Sequence, residues 1–344
     1  MATIPKREIR RAGLPISVLG FGAASVGNLY RPVTDEDARA TLLAAMDAGL
    51  TYVDTAPRYG HGLSERRVGD VLRGRDGVVL STKVGRLLTP VPGLKGDGER
   101  HGFRSPMPFE QLYDYSHDGI LRSYEDSLQR LGLAHIDILY VHDIGPMTHG
   151  DDDARTFEQL TIGGGFRALE RLRQSGAITA FGLGVNEWRI CLRAMEHVDL
   201  DVVLLAGRYT LLEQTALESF LPAALARQVS VVVGGAYNSG ILATGVRGPG
   251  PHYYDYGEAP PEVVERVRRL EALAERHETP LAAAALSFCL AHPAVVSVIP
   301  GLGSVERVKK TLDLYDTPIP AAFWAELRAE NLIDPRAPLP GDEA

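Results

Sequence analysis

Eight times between residues 16 and 299 a short apolar run gives way to a helix-periodic segment, and that alternation constrains the fold more than any other feature. The runs lie at 16–22, 51–54, 78–83, 136–141, 180–184, 202–206, 229–234 and 295–299. Stretches such as VVLLA and VVSVI are continuously apolar rather than alternating, the pattern of parallel strands covered on both faces. Helix signals fill the gaps. Thr34, with Asp37 three residues on, makes a capping box ahead of Leu42, Leu43 and Met46. Ser64 reads as the cap of a helix carrying Val68, Val71 and Leu72, and an amphipathic helix over 118–131 is closed by Gly132. Eight such units predict an α/β fold, a (β/α)8 TIM barrel. An open doubly wound sheet with two lobes is the alternative.

By length, 344 residues could hold one domain or two. No Pro/Gly/Ser-rich linker divides them, so residues 1–344 read as a single barrel domain. REIRR followed by GLPISV predicts an N-terminal β-hairpin across the barrel floor. The surplus length falls in irregular stretches at 85–116, 145–165 and 244–260, read as long rim loops in which substrate choice resides. The acidic run Asp151–Asp153 reads as a solvated loop.

Lys and Arg total 36 against 44 Asp and Glu, a formal net charge of −8 without a clustered basic run, which argues against nucleic acid as a partner. The only two cysteines, Cys191 and Cys289, sit in apolar segments and exclude a disulfide framework. The basic N-terminus has no apolar segment behind it, and the apolar 281–291 stretch is too short to span a bilayer. A cytoplasmic protein without membrane association is the expectation. Oligomeric state is not legible.

In a parallel barrel, chemistry belongs to the C-terminal strand ends. Strand two ends in Asp54, strand three in Lys83 and strand four at His142; Tyr59 lies five residues past Asp54. Each alone reads as a cap, a rim charge or a packing residue, but four on one rim favour a site. A phenol with an unperturbed pKa of about 10 is a poor base at neutral pH. A neighbouring ammonium stabilises its anion, and a buried lysine needs a partner such as Asp54 to stay charged. A histidine beside the phenol can orient a substrate oxygen. The set moves a proton on or off a carbonyl or carbinol oxygen and lacks a hydride carrier. GFGAAS (20–25) is no dinucleotide fingerprint, because no helix opens behind it. His142, Asp143 and His149 lack metal-site spacing, so no metal is expected.

At these residues the sequence resembles the aldo-keto reductase superfamily. The resemblance is carried by DAGLTYVDTAPRYGHGLSERRVGDVL, LSTKVGR, LRSYEDSLQRLGLAHIDILYVHD, ALERLRQSGAITAFGLGVNEW and SVIPGLGSVERV, in that order. It implies Tyr59 as general acid/base, tuned by Lys83, with Asp54 pairing Lys83 and His142 orienting the substrate. It implies a nicotinamide cofactor whose carboxamide meets Asn186 and whose ring stacks on Tyr209. Its pyrophosphate would lie under the loop carrying Tyr237, Asn238, Gly240 and Leu242. The adenosine end would meet Ile299, Gly301, Ser304 and Arg307, with Ser304 capping the final helix. Many NADPH-using members carry Lys where this chain has Gly301, so NAD is slightly favoured, while Arg307 leaves NADP open. Val185 and Ala206 replace a common Ser and Gln. With GNLYR and GVNEW, these departures resemble the branch of L-fucose, D-threo-aldose and L-galactose dehydrogenases, near pyridoxal 4-dehydrogenases. That branch implies oxidation of a sugar hemiacetal, such as L-fucose, L-galactose or D-arabinose, to a lactone. Pyridoxal oxidation or NADPH-dependent aldehyde reduction is an alternative, and a cofactor-binding regulatory subunit would keep the same residues. Asn28, Tyr30 and Trp188, on rim loops, are expected to form the substrate wall.

Overall fold

The computed structural model describes residues 4–342. Eight parallel strands form its central sheet: Phe21–Gly22, Tyr52–Asp54, Val79–Val84, Ile138–His142, Ala180–Val185, Val202–Ala206, Ser230–Gly234 and Val295–Ile299. Neighbours in the sheet follow chain order. The last strand meets the first through bridges Leu19–Val298 and Gly22–Gly301, which closes the barrel. Helices cover the outside.

The first strand is shorter than its apolar run. Leu14–Ser17 pairs antiparallel with Lys6–Ile9 in the hairpin, and only Phe21–Gly22 joins the barrel. Between them the backbone crosses tight against strand eight, with Val298 N donating to Val18 O and Gly20 N to Val298 O, both 2.9 Å. A Cβ on Gly20 would lie 2.8 Å from Ile299, so the close approach requires glycine. Ile9 and Ile16 pack beneath the interior residues Tyr52, Ile138, Tyr140, Val202 and Val232, forming a floor.

Local signals behave as their chemistry dictates, with one correction. Thr34 accepts from Asp37 N at 3.0 Å, and Ser304 accepts from Arg307 N. Ser64 is not a cap. It lies inside helix Leu63–Leu72, where its hydroxyl donates to Ala23 O (2.8 Å), while Gly62 in the left-handed region starts the helix. The stretches read as irregular carry structure. Within 85–116, Arg86–Pro90 pairs with Phe109–Tyr113, and Glu99–Arg100 with Phe103–Arg104. Within 145–165 lies helix Asp153–Leu160, and within 244–260 the pair Tyr253–Tyr254 and Gly257–Glu258. Asp153 is not merely solvated, since it holds Arg193 at 2.7 Å. Among the described residues, no helix is long and apolar enough to cross a membrane.

Candidate active site

Asp54, Lys83 and His142 stand near the C-terminal ends of three neighbouring strands in a staggered register that pairs Asp54 with Ser81 and Lys83 with Tyr140, and the turn after strand two brings the Tyr59 hydroxyl to Lys83. Lys83 Nζ lies 2.7 Å from Asp54 Oδ2 and also donates to Thr55 O (2.9 Å) and to the Tyr59 hydroxyl (3.2 Å). Asp54 and Lys83 are 1% and 2% exposed, so the pair is sealed from water. Ser81, unremarked in the sequence, donates to Asp54 Oδ1 (2.7 Å). The chain continues through the Tyr52 hydroxyl (3.1 Å) to that of Tyr140 (2.9 Å). The barrel interior thus fixes the carboxylate that fixes the lysine.

Burial disfavours a charged Lys83, yet Asp54 and the Tyr59 hydroxyl outweigh it and raise the pKa above its ordinary value. The ammonium persists. For Tyr59 the balance falls the other way. Burial raises the phenol above its usual 10 and Asp54 adds to that, outweighing the downward pull of Lys83. The expectation that the lysine would leave the phenol depressed is therefore corrected: desolvation wins. Burial, aided by the charges of Arg86, Lys83 and Arg58, pushes His142 well below 6.5. A neutral imidazole can offer a hydrogen bond, while the Tyr59 phenol beside the Lys83 ammonium is the group here with the chemistry to exchange a proton. The His142 ring stands edge-on to Tyr59 with centroids 6.2 Å apart, and its buried Nδ1 has no partner.

Asp143, Arg86 and Arg58 also belong to this site and were missed. Arg86, 3% exposed, pairs with Asp143 and donates to Gln111 (2.9 Å). Asp143 accepts from Asn186 Nδ2 at 3.2 Å, tying the strand-four end to the strand-five end. The only advance signals were adjacency in VHD and in KVGR.

A cleft of about 670 Å³ runs from Asn186 across the ends of strands six to eight. It brings together Asn186, Tyr237, Asn238, Gly240, Gly301 and Arg307 from the sequence expectation, and adds Ser25, Arg31, Tyr256 and Lys310. Four expected residues lie elsewhere. Tyr209 is fully buried and stacks on Phe288 at 5.3 Å, because the turn at Gly207 (φ 68°) sends it into the core. Leu242 is 1% exposed in that core, and Ile299 packs in the barrel interior. Ser304 is taken up by its helix cap. Of the substrate wall, Tyr30 is exposed on the rim, whereas Trp188 is buried with its indole N–H on Thr215 (3.2 Å). Asn28 is also buried, accepting from Val33 N and Arg67 Nη1 (3.0 and 2.9 Å), so it pins its loop.

A strap from the 244–260 stretch crosses the cleft. Arg208 holds Asp255 at 2.9 Å, and the Tyr256 hydroxyl donates to Asn186 Oδ1 at 3.2 Å. The cleft fits a dinucleotide by its chemistry. Ala206, Gly207, Gly235 and Ala236 give it a wall of backbone, and the buried hydroxyl of Tyr237, which lines it, has no partner. Arg31, Arg307 and Lys310 supply positive charge at the far end.

Residues 18–331 match the profile described as the aldo/keto reductase family. The pyridoxal 4-dehydrogenase of Microbacterium luteolum is 46% identical over 336 residues, covering 95% of this chain and 98% of that protein. The D-threo-aldose 1-dehydrogenase of Pseudomonas sp is 41% identical over 326 residues (94% and 96%). The holo form of aldo-keto reductase AKR11C1 from Bacillus halodurans superimposes with a TM-score of 0.72 at 25% identity, covering 98% and 99%.

Proposed function

The chain belongs to the aldo/keto reductase family and is an NAD(P)-dependent oxidoreductase, and from that premise we propose that it oxidises a cyclic hemiacetal to a lactone. The observation that carries the chemistry is Tyr59, whose hydroxyl meets Lys83 at 3.2 Å above a sealed Lys83–Asp54 pair. Aldoses such as L-fucose, L-galactose and D-arabinose, and pyridoxal in its hemiacetal form, are the candidate substrates. The D-threo-aldose and pyridoxal dehydrogenases among the relatives support both.

Tyr59 takes the proton of the anomeric hydroxyl, with the Lys83 ammonium stabilising the phenolate that must form first. Neutral His142 orients the same substrate oxygen. When bound, the oxidised nicotinamide supplies the acceptor for the hydride lost from the anomeric carbon. Loss of that hydride and of the hydroxyl proton leaves the C=O bond of the lactone. Asn186 would hold the nicotinamide end, Tyr237, Asn238 and Gly240 the diphosphate, and Gly301 and Arg307 the adenosine end.

NAD is the proposed preference. Gly301 offers no cation, and the Arg31 guanidinium is tied to Gly303 O at 3.2 Å. Arg307 and Lys310 remain to be weighed by kcat/KM with each cofactor, and a large NADP preference would overturn this assignment. The resting phenol of Tyr59 is protonated, as carbonyl reduction requires, so NADPH-dependent aldehyde reduction is the second reading. An oxidation screen over L-fucose, L-galactose, D-arabinose and pyridoxal with both cofactors tests the proposal. Lactone formation that Tyr59→Phe abolishes, while cofactor binding survives, is the expected result; Tyr59-independent turnover would refute it.

A further inference from the structure

The site carries a cation that the proton chemistry leaves unused. Arg58 directly precedes Tyr59, and the turn fixes its backbone: Tyr59 N donates to Ala56 O (3.0 Å) and His61 N to Arg58 O (3.1 Å). Its side chain is half-buried. Among the described residues the guanidinium has no hydrogen bond and no ion pair, in contrast to Arg86, which takes both Asp143 and Gln111. Burial and the charge of Arg86 lower the Arg58 pKa, while Asp143, Tyr113 and Tyr59 oppose this. Asp143, the carboxylate in range, is already claimed by Arg86 and Asn186. A half-desolvated cation beside a like charge is stabilised by an anion that neither arginine yet holds.

The surroundings say what carries that anion. Tyr30, Tyr113 and Tyr256 are 61%, 37% and 64% exposed. Tyr30 and Tyr256 line the cleft together, the Tyr256 hydroxyl reaching Asn186 at 3.2 Å, and the Arg58 charge acts on Tyr30. Phe103 lies against Tyr59 with centroids 6.2 Å apart. Arg86 already lies over the Tyr113 ring at 4.8 Å, so Tyr30 and Tyr256 offer the open aromatic faces, and with an unpaired guanidinium they suit a flat ring bearing an ionised oxygen.

We propose that Arg58 determines specificity by receiving the ionised ring hydroxyl of a planar heteroaromatic hemiacetal, as pyridoxal is, in preference to a neutral aldose. In such a substrate the ionised oxygen sits on the ring carbon next to the one bearing the hemiacetal, so an anion-receiving group is needed close to the proton-transfer residue. This rests on the hemiacetal-oxidation reading above. An aldose has only neutral hydroxyls and gains little from the guanidinium.

The test compares wild type, Arg58→Gln and Arg58→Lys with saturating NAD, measuring kcat/KM for pyridoxal and for D-arabinose. The pyridoxal-to-arabinose ratio should fall about tenfold or more in the Gln variant, chiefly through KM, and partly recover in the Lys variant. An unchanged ratio, including a parallel fall for both substrates, overturns the proposal. A second measurement needs no turnover: calorimetric binding of pyridoxine and of its 3-O-methyl ether to the NAD-loaded protein. Wild type should bind pyridoxine about tenfold more tightly than the ether, and Arg58→Gln should erase the difference. No preference in the wild type overturns the proposal, even if the Gln variant fails to fold. A preference without oxidation of either hemiacetal refutes the dehydrogenase reading and leaves Arg58 as an anion-recognising residue.

Discussion

Replacing Asp54 with Asn tests how the barrel keeps a buried lysine charged. The Lys83–Asp54 contact is 2.7 Å with both side chains at most 2% exposed. At an effective dielectric of about 20, two charges this close attract by roughly 6 kcal/mol, and desolvation cancels part of that. Asn keeps the shape. Its carbonyl can still accept from Lys83, while its NH2 must face Ser81, whose hydroxyl then turns its own proton towards Tyr52. The loss is thus mainly the charge, and removing one partner of a buried pair costs about 3–5 kcal/mol. With an unfolding entropy of roughly 0.7 kcal/mol/K for a chain of this length, Tm should fall by about 4–7 °C.

The pH dependence separates this mechanism from generic damage. In the wild type, Lys83 titrates above its ordinary 10.5 in the folded state, so its contribution is fully present below that value and fades as pH rises through the folded pKa. In Asp54→Asn the buried ammonium has no counter-ion, and its folded pKa falls below the unfolded one. The penalty is then full at low pH and relaxes as the amine deprotonates. The stability deficit must therefore narrow between about pH 7 and 10 when followed by urea denaturation. A deficit under about 1 kcal/mol, or one constant with pH, would refute the reasoning.

Four further outcomes follow from the same geometry. Burial raises the Tyr59 phenol and oxidation needs its anion, so kcat/KM for hemiacetal oxidation should climb with pH across the neutral-to-alkaline range, and a flat profile counts against Tyr59 as base. Burial, seconded by Arg10, pushes His292 from 6.5 down to about 4, so its contribution is present above pH 6.5 and lost as pH falls towards 4. The loss is about 3 kcal/mol and should shrink in His292→Gln by denaturant titration at both pH values. Asn28→Ala should cost about 1–3 kcal/mol in thermal denaturation by stranding Val33 N and Arg67, whereas a substrate-wall residue would change KM and not Tm. Asp255→Ala breaks the partly exposed pair with Arg208, and stopped-flow release of NADH should quicken a few-fold, consistent with about 1 kcal/mol.

How much of this was legible in the sequence depends on where each residue sits relative to regular structure. Asp54, Lys83 and His142 were readable because a parallel barrel places strand ends on one rim, so spacing along the chain becomes position in space. Beyond the strand end that mapping fails. Strand six stops at Ala206, and the left-handed Gly207 decides that Tyr209 turns inward to Phe288. Nothing in AGRYT announces this. Trp188 was misplaced for the same reason, since a residue just before a short helix can face either side. Tyr256 and Asp255 lay in a stretch without periodicity, and their reach across the cleft depends on the Arg208 partner 47 positions earlier. Asp143 and Ser81 act through hydrogen bonds to residues distant in sequence, which hydrophobic patterns do not encode.

The displacement of Tyr209 bears on how the site divides its labour. The ends of strands six and seven meet the cleft as Ala206, Gly207, Gly235 and Ala236, nearly all backbone. Gly235 has φ 60°, and a Cβ there would lie 3.3 Å from Gly207 N, so the left-handed backbone and the close approach of the two turns both favour glycine. The one aromatic ring on this side is Tyr237, which follows Ala236 and lines the cleft. Two further phenol rings that line the cleft, Tyr30 and Tyr256, come from rim loops and are largely exposed. Asp54, Lys83 and His142, by contrast, are at most 5% exposed and rooted in strands. The groups proposed to transfer the proton thus sit in the strand-rooted part, where a shift of a few tenths of an ångström would break the 3.2 Å Lys83–Tyr59 contact. Recognition is left to rim segments whose side chains can be exchanged without disturbing the barrel. Relatives with different substrates in their names are what such a division permits, and the exposed Tyr30 and Tyr256 are where a change of side chain would disturb the barrel least.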